Sequence, residues 1–170
     1  MKVRSSYVLV LALTFCLPAR AVTAPKVALT DLRALPIVQM RPYDESAHAN
    51  SAVAAAFARA RKSHKRVLID LGGNWCGDCV VLANIMQLPE MKPFLAAHYE
   101  VVSVDVGRFN RNLQIPARFG ITKRLAGVPA VLIVEPNSRK LVDAGHVSAL
   151  ADARHMTPQG LADWFAQWAK

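Results

Sequence analysis

Cys76 and Cys79 stand three residues apart in the segment Leu71-Gly72-Gly73-Asn74-Trp75-Cys76-Gly77-Asp78-Cys79. The apolar run Arg66 to Leu71 precedes them and stops at Gly72-Gly73, which reads as a buried strand ending in a turn. Cys76 to Met86 supports a helix, so Cys76 falls at its amino end. There, unpaired backbone N–H groups and the helix dipole favour a thiolate. Only the thiolate attacks a disulfide, so a lowered thiol pKa raises the reactive fraction near neutral pH. Cys79, one turn on, can attack the sulfur of Cys76 in a mixed disulfide and release the reduced substrate.

Two other uses of the pair compete with this one. A purely structural disulfide would close so small a loop that it stabilises little. A zinc site needs about four ligands. His48, His64, His98, His146 and His155 are scattered without ligand spacing. No metal is expected, and His146 is kept only as a tuner of the cysteine site.

The elements around the pair must position it. Ser46 to Lys62 is alanine-rich, with Val53, Phe57 and Ala60 at helical spacing and Arg59, Arg61 and Lys62 near the end, where cations suit the dipole. The helix from Cys76 breaks at Pro89 and resumes from Glu90 to His98. Tyr99 to Val106 is rich in β-branched residues and reads as a strand. Gly107 to Arg118 is irregular with a helical turn. Pro129 to Val134 and Lys140 to Ala144 read as two strands around the turn Pro136-Asn137-Ser138. Thr157 caps a last helix with Pro158 in its first turn, and Leu161, Trp164, Phe165 and Trp168 line one face as core. Two strands joined through helices imply a parallel pair, and the last two strands an antiparallel hairpin. The fold class is α/β, a mixed parallel and antiparallel central sheet flanked by helices.

The chain has 170 residues, enough for one domain, with 53% hydrophobic and 19% charged residues, which excludes a disordered chain. Its first part reads as an address. Lys2 and Arg4 precede an apolar run from Val8 to Leu17, and Ala19-Arg20-Ala21 offers a small-x-small exit. These are the parts of a secretory signal peptide over residues 1–21. An uncleaved anchor is the competing reading, but the run is about half the roughly twenty residues a membrane span needs. Removal of residues 1–21 takes away Lys2, Arg4 and Arg20, leaving 18 basic against 12 acidic residues, a net +6. A periplasmic or secreted location is expected. Residues 22–42 read as an N-terminal extension over a domain of residues 43–170. Arg108, Arg111, Arg118, Lys123 and Arg124 gather around the irregular region; they suit acidic partners, and without interleaved aromatics they do not indicate nucleic acid.

From Arg66 onward the chain resembles the thioredoxin superfamily. Trp75-Cys76-Gly77-Asp78-Cys79 is similar to its Trp-Cys-x-x-Cys motif, and Asp70 matches the buried acid beneath the cysteines. Gly127-Val128-Pro129-Ala130 is similar to its cis-proline loop, Phe119-Gly120-Ile121 to its aromatic-Gly-Ile segment, and Gly145 to its glycine after the last strand. The resemblance implies a thioredoxin fold and thiol–disulfide exchange with protein substrates. It makes Cys76 the nucleophile, Cys79 the resolving thiol and Asp70 the base for Cys79, with Trp75, Val128 and Pro129 shaping the peptide groove. It implies no organic cofactor and a thiol electron donor, membrane-bound in resembling periplasmic proteins.

Three departures qualify the match. Asp78 replaces a proline, and its charge is expected to oppose the thiolate and favour a reductase, with a potential of roughly −270 to −180 mV. The lysine that often pairs with the buried acid has no counterpart, since the strand offers Val101. Thr122 to Ala126 is longer than the family shows and is expected to reshape the partner surface. The expected protein is a monomeric reductase; an oxidase or isomerase, or a non-catalytic binding module of the same fold, are the alternatives.

Overall fold

The computed structural model describes residues 21–170; the expected signal peptide, apart from Ala21, lies outside the described residues. The element order is α1 (Ala49–Ser63), β1 (Arg66–Gly72), α2 (Gly77–Ile85), α3 (Met91–His98), β2 (Tyr99–Asp105), α4 (Gln114–Ala117), β3 (Ala130–Val134) and α5 (Pro158–Gln167), with short 3-10 turns at Leu32–Ala34 and Ala153–His155. The sheet has the order β2-β1-β3. β1 runs parallel to β2 and antiparallel to β3. β1 lies in the middle and every residue after Arg66 is buried, which is why its sequence is a continuous apolar run rather than an alternating one.

Side chains alternate across β1. Ile69 and Leu71 join Val53, Phe57, Val102, Val104 and Leu132 under α1. Leu68 joins Leu82, Ile85, Met91, Val131, Ile133 and Phe165 on the face covered by α2, α3 and α5. Asp70 is two residues from Leu68 and shares that second face, where a carboxylate is out of place unless partnered. In α1 the buried Val53, Ala56, Phe57 and Ala60 form one stripe, and His64 closes the helix in the left-handed region at φ 57°. Thr157 caps α5 by accepting from Gly160 N at 3.0 Å, and Phe165, fully buried on that helix, contributes roughly 1.5–3 kcal/mol.

One expected element is reduced. The second arm of the hairpin, Lys140 to Ala144, makes a single bridge, Leu141 with Val134, and no strand. Two features end it. Arg139 turns through φ 57°, and the Asp143 carboxylate takes the Ile133 N–H at 2.9 Å, the kind of donor a continuing strand would have used. Burial pushes the pKa of Asp143 up to about 6. No described helix is long and apolar enough to cross a membrane.

The segment before α1 packs on the second face. Val27 and Leu35 are buried there, and Val27 N donates to Gln159 Oε1 at 3.0 Å. Asn84 of α2 then clamps the next stretch. Its Oδ1 accepts from Val38 N and Gln39 N, at 2.8 and 2.9 Å, and its Nδ2 donates to Gln39 O at 2.9 Å. This strap leads the chain across the sheet to Tyr43.

Candidate active site

Cys76 is the N-cap of α2, and Cys79 N donates to Cys76 Sγ at 3.1 Å. The sulfur therefore occupies the place a serine or aspartate side chain takes at an ordinary helix start. The two cysteines form a disulfide, Cys79 fully buried and Cys76 nearly so. Cys76 Sγ lies 3.4 Å from the carbonyl oxygen of Val128, and the Val128–Pro129 peptide bond is cis. Trp75 is 44% exposed beside the pair, its indole N–H held by Gly107 O at 2.8 Å. Of the residues expected at the site, Trp75, Cys76, Cys79 and Val128 therefore meet at one end of β1, with Pro129 next in the chain.

Asp70 sits behind them, fully buried. The phenol of Tyr43 donates to its carboxylate, with Oη 3.0 and 2.9 Å from the two oxygens. Both Tyr43 Oη and Cys79 Sγ abut the space a Cβ would take at Gly72, so any larger residue there would collide with them. Burial pushes the pKa of Asp70 up to about 7, while the hydroxyls of Tyr43 and of Ser103, its neighbour across β2, pull it down. Burial, and then the Asp70 charge, push the Tyr43 phenol well above its ordinary value, so it remains a donor. Tyr43 was missed in the sequence because it lies far outside the motif, behind Pro42, with no local pattern tying it to Asp70. The missing lysine is thus replaced by a neutral donor from the strap. Asn74 secures the strap to the site loop: Tyr43 N donates to Asn74 Oδ1 at 3.0 Å, and Asn74 Nδ2 donates to Tyr43 O at 2.8 Å.

Two expectations are corrected. Asp78 does not direct a free charge at the sulfur. Its carboxylate accepts from Arg154 N at 2.9 Å and pairs with the Arg154 guanidinium at 3.1 Å, so the cation largely offsets it. His146 packs against Trp168, with ring centroids 5.3 Å apart, rather than against the cysteines. Trp164 is core as expected, and Trp168 packs against it. Among the described residues no cluster of His, Cys, Asp or Glu could hold a metal ion.

A sulfur capping a helix, a second sulfur behind it and a proton acceptor of near-neutral pKa behind that can carry out thiol–disulfide exchange. Fold and cysteine pair together are those of a thiol–disulfide oxidoreductase. A family model described as thioredoxin-like matches residues 48–136, and the chain belongs to that family. Among solved structures, a disulphide isomerase from Xylella fastidiosa Temecula1 is 38% identical over 74% of this chain and 94% of its own, with a TM-score of 0.67. A protein of unknown function from Pseudomonas aeruginosa is 17% identical over 71% of this chain and 79% of its own, with a TM-score of 0.34. No curated protein matches the chain.

Proposed function

We propose that this chain is an exported, monomeric reductase of disulfide-bearing polypeptides, recharged by a thiol donor at the membrane. The observation that carries the reading is the alignment of Cys76 at the start of α2 with Cys79, Tyr43 and Asp70 behind it. In the reduced protein the Cys76 thiolate attacks one sulfur of a substrate disulfide. A bond forms between Cys76 and that sulfur, and the other substrate sulfur leaves as a thiolate that takes a proton from water. Cys79 then loses its proton to Asp70 and attacks Cys76 Sγ. The first substrate sulfur leaves, the substrate has gained two electrons, and the protein holds the Cys76–Cys79 disulfide. A proton acceptor committed to the buried Cys79 supports the step that completes reduction. Trp75, Val128 and Pro129 form the wall against which the substrate lies.

Isomerisation is the second reading, favoured by the 38% identity to a disulphide isomerase. It depends on Cys76 far more than on Cys79, because the substrate's own thiol can resolve the mixed disulfide. Insulin reduction with dithiothreitol and refolding of scrambled ribonuclease separate the two. A reductase loses insulin activity in both Cys76→Ser and Cys79→Ala; an isomerase keeps most ribonuclease refolding in Cys79→Ala. Full insulin activity in Cys76→Ser defeats both. The apolar run and Ala19-Arg20-Ala21 support export. Fractionation of expressing bacteria should recover a periplasmic chain beginning at Val22, and light scattering should give a single copy.

A further inference from the structure

Two recesses lie along the segment that leads into Val128. One, about 200 Å³, is lined by Phe109, Leu113, Pro116 and Ile121; the other, about 330 Å³, by Ala126, Gly145 and Val147, and the two share Ile121, Arg124 and Leu125. Leu125 belongs to the same buried cluster as Cys76 and Val128, and Phe109, which lines the first recess, meets the ring of Trp75, the residue before Cys76. The expected extra length from Thr122 to Ala126 is the ridge that they flank.

The rim is aromatic and cationic. Trp75 and Phe109 meet with ring centroids 6.1 Å apart. The Arg108 guanidinium lies 5.0 Å from the Trp75 ring centre and that of Arg124 4.4 Å from the Phe109 ring centre. The loop that carries Phe109 is fixed: Asn112 Nδ2 donates to Asp105 O at 2.8 Å, Gly107 N donates to Asp105 Oδ1 at 3.1 Å, and Arg111 pairs with Asp105 at 2.9 Å. Phe109 itself takes φ 64°, a backbone usually left to glycine, so the loop holds the ring where it is.

The charges on this face are not balanced. Arg111 and Arg154 have Asp105 and Asp78, but among the described residues Arg108, Lys123 and Arg124 have no acid within ion-pair distance. No Asp or Glu lines either recess. A guanidinium laid on a ring is restrained and weakly hydrated, and it keeps its outer edge free for a carboxylate. An apolar hollow with restrained cations at its lip is complementary to an apolar side chain next to acidic ones.

We propose that this face selects the substrate: an extended polypeptide whose disulfide cysteine is flanked by an apolar residue, which enters the recess, and by aspartate or glutamate, which meet Arg108 and Arg124. The proposal rests on Cys76 as the attacking sulfur. It is tested with two peptides, identical but for two glutamates or two lysines beside a Phe-Cys pair, each carrying a chromogenic thiol in mixed disulfide. The reduced protein should cleave the acidic peptide on the order of tenfold faster at low ionic strength, with the ratio falling towards one in 0.5 M salt. In the double variant Arg108→Glu, Arg124→Glu the ratio should invert. The ratio is unaffected by any change in Cys76 reactivity, because that change acts on both peptides alike. Equal rates at low salt, or a preference unmoved by the double variant, overturn the proposal. If the wild-type chain cleaves neither peptide nor a small neutral disulfide, the reductase reading is what fails. Anisotropy of the same peptides, in thiol form, on the chain bearing Cys76→Ser and Cys79→Ser then reads the face alone, and equal affinities there overturn the proposal as well.

Discussion

The phenolic oxygen of Tyr43 touches both oxygens of the Asp70 carboxylate, at 3.0 and 2.9 Å, inside a core where neither group meets solvent. The contact joins a strap that precedes the first helix to the middle strand of the sheet. Its consequence is electrostatic. A lysine would hold Asp70 ionised, whereas a phenol stabilises the carboxylate only by hydrogen bonding, and burial wins, leaving a pKa of about 7. The groups facing Asp70 and Tyr43 are then Cys79 from α2, and Ser103 and Asp105 from β2.

Tyr43→Phe removes a bond that favours the charged carboxylate, so the pKa of Asp70 rises further above 7. The pH profile of insulin reduction should move to the alkaline side, and stability should fall by about 1–2 kcal/mol for the lost buried bond. A profile that stays in place, in a variant that still folds, would mean that Asp70 is not the titrating group.

Asp70→Asn separates stability from activity. In the unfolded chain Asp70 titrates near 3.8, and in the fold near 7. A raised carboxylate pKa costs nothing below the unfolded value, and its penalty grows as pH rises from 3.8 to about 7, reaching about 4 kcal/mol. The variant should therefore gain up to that amount in urea unfolding at pH 8 and almost nothing at pH 3.5. Its resolving step should slow on the order of 10²-fold, read as accumulation of mixed disulfide in a quenched reaction. A variant equally stable at both pH values would place the Asp70 pKa near its ordinary value.

The motif was legible because its physics is local. A strand, a glycine turn and a helix start lie within about ten residues, and the spacing Cys76 to Cys79 is one helical turn. The apolar run of β1 and the stripe of α1 are equally local. What could not be read were contacts made across the fold. Tyr43 reaches Asp70 over 27 residues, and Arg154 reaches Asp78 over 76. In the sequence Asp78 therefore reads as a bare charge, and the potential argued from it loses that support. The lost strand at Lys140 to Ala144 has the same origin: its composition suits a strand, but Asp143 competes through its side chain for Ile133 N–H.

Arg154→Gln should expose what the ion pair hides. Without the guanidinium, the carboxylate of Asp78 acts on Cys76 from two residues away, disfavouring the thiolate. The Cys76 alkylation profile should shift to higher pH, and the potential against glutathione should become more negative by tens of millivolts. Adding Asp78→Asn to Arg154→Gln should return both towards wild type. A single variant that leaves both unchanged would show that the pair only anchors the Ala153–His155 turn to α2.

Asn84 offers a test of the strap without touching the site. Its side chain is almost fully buried and satisfies two backbone N–H groups of the strap and the Gln39 carbonyl. Asn84→Ala leaves these groups without partners and should cost about 2–4 kcal/mol. Beyond that, the strap carries the exposed Ile37, Val38 and Met40, so limited proteolysis should cut first between residues 37 and 40. Because the same strap delivers Tyr43, the variant should also move the pH profile of reduction in the direction of Tyr43→Phe, by less, since Asn74 still holds the Tyr43 backbone. A destabilised variant with an unmoved profile would show that Asn74 alone fixes Tyr43 on Asp70.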